Sequence, residues 1–292
     1  MRKYIYMACL MAAALVLSSC GNDDPEGESI FVNQEAANQN DFDKWIYRNY
    51  TLPYNMKVIY KMQDIESDYN YTLAPADYVK SVELAHIVKY AWLDAYDEVA
   101  GTDFTRAYVP KILHLIGSAA YQDNGTMVLG TAEGGLKVTL YLVNSLQINR
   151  DLLNEYYFKT MHHEFSHILH QTKSYDPSYD LISEGHYVNG DWYLTSDEEA
   201  RKQGFVSAYA SSEAREDIAE VTSIYITYTP QEWAAVLADA GETGAPIIEQ
   251  KLDIVKKYMQ NSWGIDLDKL RSVVQRRMND IVKGSVDLYN LK

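Results

Sequence analysis

His163-Glu164-Phe165-Ser166-His167 is the stretch of this chain in which residue type and spacing most directly suggest chemistry. Seven histidines occur in 292 residues, and four fall within the run MHHEFSHILH, Met161–His170. On a helix, His163 and His167 are one turn apart on one face, so their imidazoles can share one Zn²⁺. Glu164 is rotated about 100° from His163 and can lie beside a metal-bound water without capping the metal. Zinc lowers the pKa of such a water towards neutrality, and the carboxylate takes its proton.

A catalytic zinc needs a third protein ligand and an open position. His170 follows His167 by three residues on the same face but lies about 10 Å along the helix axis from His163, so it does not readily converge on the same ion. Its removal is expected to cost little metal. The position ten residues after His163 is Lys173, which excludes the arrangement with a third histidine there. His186 sits in the following loop without a supporting motif, and His86 and His114 fall in earlier elements, where local hydrogen bonds account for them. The acidic run Glu213-Ala214-Arg215-Glu216-Asp217-Ile218-Ala219-Glu220 places Glu216 and Glu220 one turn apart. Two carboxylates on one helix face suit a ligand and an acceptor for a ligand histidine's other N–H. A solvated acidic face with Arg215 as partner is the alternative.

These residues must be positioned by a folded domain, and the composition allows one. Hydrophobic residues make up 47% and charged residues 23%, which excludes wholesale disorder. The net charge of −15 excludes a nucleic-acid partner on electrostatic grounds. Tyr54–Met62, Lys111–Ser118 and Leu136–Val143 read as strands. Gly125, Gly130, Gly134 and Gly135 read as turns between the last two. Helices are predicted over Pro75–Ala100, with Pro75 in its first turn, and from Asp151 through Thr172, around the histidines. A loop covers about Lys173–Thr195. Helices follow over Ser212–Thr227, from Thr229-Pro230 as N-cap and first helical position, and over Pro246–Asn261 and Asp266–Lys283. The fold class is α+β: a small N-terminal mixed sheet, an active-site helix, and a mostly helical C-terminal half.

The N-terminus carries a different message. Arg2 and Lys3 precede an apolar run from Tyr4 to Val16, long enough for a signal peptide and short for a membrane span. Leu17-Ser18-Ser19-Cys20 resembles a bacterial lipobox, which implies cleavage of residues 1–19 and acylation of Cys20. Residues 20–40 are acidic and contain Gly and Pro, and read as a tether. They also resemble the acidic export tag of Bacteroidetes-type lipoproteins. The domain then occupies 41–292.

HEFSH followed at a distance by EDIAE resembles the gluzincin metallopeptidases, most closely the branch with anthrax lethal factor and the Pro-Pro endopeptidases. That resemblance covers roughly a quarter of the chain. It implies a zincin-like fold, zinc on His163, His167 and Glu216, and Tyr209, seven positions before Glu216, facing the developing oxyanion. It implies as well that the strand Leu136–Val143 forms the upper edge of the cleft and pairs with an extended substrate. With the lipobox and the size, the chain is similar to the substrate import-associated zinc metallohydrolase lipoproteins of Bacteroidetes. Members carry an HExxHxxEH-like continuation, whereas residues 163–171 here read HEFSHILHQ. The implied protein is a zinc metallopeptidase with a peptide or protein substrate, lipid-anchored at the outer membrane beside a TonB-dependent transporter and its binding lipoprotein. The rival is a non-catalytic binding or assembly lipoprotein with a structural or relic zinc site. An intact Glu164 argues against it, because a structural site has no use for an unligated carboxylate there.

Overall fold

Asn40 starts the fold. Its side chain accepts the Asp43 N–H while Asp43 accepts the Asn40 N–H, a reciprocal cap that launches helix α1. α1 runs as Asp41–Ile46, a π-helical turn Tyr47–Thr51, and Leu52–Tyr54. It buries Phe42, Trp45, Ile46, Tyr50 and Tyr54. The computed structural model describes residues 39–63, 68–122, 125–128, 130–133 and 135–292. The expected signal peptide, Cys20 and nearly all of the expected tether lie outside them.

Strand β1 is Lys57–Ile59, a short core of the predicted strand. Helix α2 spans residues 78–100 as Tyr78–Val88, a π-helical turn Lys89–Leu93, and Asp94–Ala100. It does not begin at Pro75. Asp77 caps it by accepting the Lys80 N–H, and Pro75 instead bridges to Ile116. Gly101, at φ 87°, breaks the chain between α2 and helix α3, Thr102–Tyr108.

Strands β2 (Ile112–Leu115), β3 (Ala120–Tyr121), β4 (Met127–Val128), β5 (Gly130–Glu133) and β6 (Lys137–Leu140) follow. The main sheet has the order β1-β2-β6-β5. β1, β2 and β6 are parallel, with Val58 opposite Leu113 and Leu113 opposite Val138, and β5 is antiparallel to β6. β3 and β4 form a separate hairpin. Two expectations are corrected here. Gly125 (φ 83°) and Gly135 (φ 72°) do stand at turns, but Gly130 lies in β5, where it serves a close approach rather than a turn. A Cβ on it would lie 2.3 Å from the Thr160 side chain. β6 is also not an edge strand: it is paired on both sides, and the edges are β1 and β5.

Helix α4 covers residues 150–172 as Arg150–Leu153, a π-helical turn Asn154–Phe158, and Lys159–Thr172. Asn149 caps it through the N–H groups of Asp151 and Leu152. Its rear face buries Met161, Phe165, Ile168 and Leu169, with Phe165 edge-on to Trp92 and Tyr96 of α2. The stretch expected as a loop after it contains helix α5, Ser178–Ile182, and a 3-10 segment, Asn189–Leu194. Helix α6, Asp197–Lys202, opens on a Ser196/Glu199 capping box that the sequence reading missed. Helix α7 is Ala214–Thr227.

Helix α8, Pro230–Trp263, starts as expected on Thr229, whose hydroxyl accepts the Glu232 N–H. It takes in the predicted Pro246–Asn261 helix, and Gly241 (φ 66°) breaks its helical path in between. Helix α9, Leu267–Val282, is capped by Asp266. α7 packs against α4, α8 and α9. A fully buried ion pair, Lys251 to Asp217 at 2.6 Å, joins α8 to α7 beside Glu216, and Lys251 also donates to the Gly204 carbonyl at 2.8 Å. Residues 40–292 form one compact unit of α+β class. Among the described residues, no helix is long and apolar enough to cross a membrane.

Candidate metal centre

The front face of α4 meets the first turns of α7. His163 and His167 stand one turn apart with rings 4.8 Å between centroids. Their Nε2 atoms are 3.1 Å from each other and 3.0 and 3.3 Å from Oε2 of Glu216. Among the described residues these three side chains are the group able to hold a metal ion. Donors bound tetrahedrally to one zinc at its usual bond lengths lie about 3.3 Å apart, so the three observed separations fit such an ion. The donor set, two imidazoles and one carboxylate, is that of an open zinc site with a position left for water. Two Nε2 lone pairs and a carboxylate oxygen at mutual contact suit a shared positive charge, a metal ion or a proton.

Glu220, one turn after Glu216 and 1% exposed, accepts from His163 Nδ1–H at 3.0 Å. Its other oxygen accepts from Ser207 Oγ at 2.6 Å and from Lys159 Nζ at 3.3 Å. Burial would push this carboxyl up, but Lys159, His163 and Ser207 outweigh it and bring it down to about 2. Glu220 is therefore an anion that fixes the His163 tautomer with Nε2 facing the metal position. Burial likewise opposes charge on His163, yet Glu216 and Glu220 raise the ring to about 10. Burial works against Glu216 too, and the two histidines hold it far below the usual carboxylate range. A divalent cation in this place takes over the attraction that otherwise holds a proton, so metal binding releases protons.

Glu164, half-buried, lines the same cleft, which encloses about 800 Å³ between α4, the β3–β4 hairpin and the segment around Trp192. Tyr209 lies in a 3-10 turn, Tyr209–Ser211, just before α7, with its ring 5.8 Å from that of His163 and Trp192 packed edge-on behind it. Burial first, and then the charge of Glu216, raise the Tyr209 hydroxyl well above its usual range, so it remains a donor. Gly130 of β5, an edge strand of the main sheet, also lines the cleft.

The structure thus brings together His163, Glu164, His167, Tyr209, Glu216 and Glu220. It leaves the other histidines out of the ligand group. His186 is exposed. His86 stacks on Trp45 at 3.9 Å and pairs with the carbonyls of Val82 and Asn290. His114 is buried in β2. His162 points to the rear, with Nδ1 3.0 Å from the Tyr96 hydroxyl, and burial lowers it to about 3. Lys159 and Ser207 were not anticipated. The i−4 spacing of Lys159 from His163 was a usable signal, whereas Ser207 arrives from a loop that no local pattern marks.

The chain is similar to proteins described as zinc-binding. A solved structure from Bacteroides caccae, described as a putative zinc-binding metallo-peptidase, is 53% identical, covers 89% of this chain and 98% of its own, and superimposes with a TM-score of 0.77. No curated protein matches the chain. The family model described as "Putative zinc-binding metallo-peptidase" matches residues 35–268, and the chain belongs to that family of zinc metallopeptidases.

Proposed function

We propose that the protein is a zincin-like, gluzincin-type zinc metallopeptidase in which His163, His167 and Glu216 hold the metal and Glu164 is the general base. The observation that carries this reading is the convergence of those three donors in a cleft that Glu164 also lines. Zinc held there supplies a Lewis acid that lowers the pKa of a bound water towards neutrality. Glu164 accepts the proton of the attacking water and passes it to the leaving amine. The Tyr209 O–H donates to the carbonyl oxygen as that oxygen gains negative charge. β5 offers its unpaired edge to an extended substrate, whose backbone adds as a further strand and lies along the cleft. The test is metal analysis of the purified protein together with hydrolysis of a mixed peptide library. Protein without stoichiometric zinc, or with zinc and no hydrolysis of any peptide, overturns the reading.

Tyr209→Phe is expected to keep zinc and substrate affinity and lower turnover by about 10²–10³, the usual worth of one oxyanion donor. An unchanged kcat removes Tyr209 from the mechanism.

The N-terminal sequence supports a lipoprotein anchored through Cys20 in the outer membrane and facing outwards, and the resemblance to substrate import-associated lipoproteins adds nutrient uptake beside a TonB-dependent transporter. The support is the LSSC sequence after an apolar run and the acidic residues that follow it. Cys20→Ala is expected to move the protein out of the membrane fraction. A variant that stays membrane-bound shows that the segment anchors without acylation.

A further inference from the structure

The two ligand histidines are held from behind by different chemistry. His163 Nδ1 meets a carboxylate, Glu220. His167 Nδ1 meets another imidazole: it lies 2.8 Å from Nε2 of His170. Which ring donates follows from ligation. His167 Nε2 faces Glu216 and His163, so its lone pair must face the metal and its proton must sit on Nδ1. His170 Nε2 is then the acceptor. The opposite arrangement, with His170 Nε2–H donating, puts the proton of a neutral His167 on Nε2 and leaves no lone pair for an ion.

Packing keeps this contact in place. The three-residue spacing brings the His167 and His170 rings to 5.0 Å at 78°, edge against face. Tyr175, from the segment after α4, closes on the other side of His170 at 5.7 Å. His170 is 7% exposed, so bulk water does not compete freely for its acceptor atom.

We propose that His170 is a positioning residue of the metal site: it accepts the Nδ1–H of His167 and thereby fixes the tautomer and aim of that ligand. The role rests on the reading of His163, His167 and Glu216 as ligands. It departs from the expectation that removing His170 costs little metal. Helix geometry keeps His170 off the ion, yet the same geometry delivers it to the back of the neighbouring ligand. The pair of outer partners is asymmetric, an anion behind His163 and a neutral ring behind His167. His167 therefore receives orientation from His170 without added negative charge.

The test compares two substitutions in the full chain. His170→Gln places Oε1 as many bonds from Cα as Nε2 was, and keeps an acceptor. His170→Phe keeps a ring against Tyr175 and removes the acceptor, with His170→Leu as a second acceptor-free variant should the phenyl ring disturb folding. Zinc affinity by chelator competition is expected to fall about 10–100-fold in the acceptor-free variant and to recover in His170→Gln. The visible bands of the cobalt-substituted protein should shift in His170→Phe and overlay the wild type in His170→Gln. A structural role alone predicts equal metal loss in both variants, and that result overturns the proposal. So does an acceptor-free variant with wild-type affinity and spectrum. A wild-type chain that binds no zinc overturns the ligand assignment itself and this role with it.

Discussion

Glu164→Gln is expected to bind zinc as the wild type does and to hydrolyse peptides about 10²–10⁴-fold more slowly, the range lost with a positioned general base. Glu164 is absent from the group of converging donors, although it follows His163 directly and lines the same cleft. The amide is isosteric with the carboxylate, so the cleft and the ligands keep their shape. What is lost is the ability to take a proton at neutral pH. Metal content and turnover, measured on the same preparation, check both halves of this expectation. Full activity in the variant would remove Glu164 from the chemistry. Loss of zinc would mean that the carboxylate helps to hold the ion.

Glu216→Ala should produce the largest loss of metal. It leaves two imidazoles where an open zinc site uses three protein ligands, and it removes the ligand set's only negative charge. The expected loss exceeds the about 10–100-fold typical of an outer partner, which is the range expected for Glu220→Ala. Glu220→Ala also strands Lys159 and Ser207, which both donate to Glu220, so the thermal unfolding of the two variants should be compared alongside chelator competition. Zinc affinity that survives Glu216→Ala would end the gluzincin assignment and the Tyr209 role with it.

Which parts of this site can be read in the sequence follows from how far each interaction reaches along the chain. His163 and His167 share a helix face because helical backbone hydrogen bonds fix a 3.6-residue period within a few residues, and that period is written in the sequence. The Thr229 cap is legible for the same reason: donor and acceptor are three residues apart. Glu216 is 53 residues from His163, and its spacing to Glu220 alone fits a solvated acidic face equally well. Resemblance to a known motif singled out Glu216 of the pair before the packing of α7 on α4 was seen.

The tertiary structure decided the rest. It made β5 an edge of the sheet and β6 an interior strand, because strand order depends on pairing between segments that local alternation does not rank. It also surrounded Glu220 with Lys159 and Ser207, and packed Tyr175 against His170 behind His167. By itself the sequence determined the kinds of donor atom and their phase on each helix, since those are local. Where the helices cross, which edge of the sheet stays free, and which neighbour each ligand leans on were settled by the burial of the faces opposite the site. That burial joins Phe165 to Trp92 and Tyr96, and Asp217 to Lys251, across long separations in the chain.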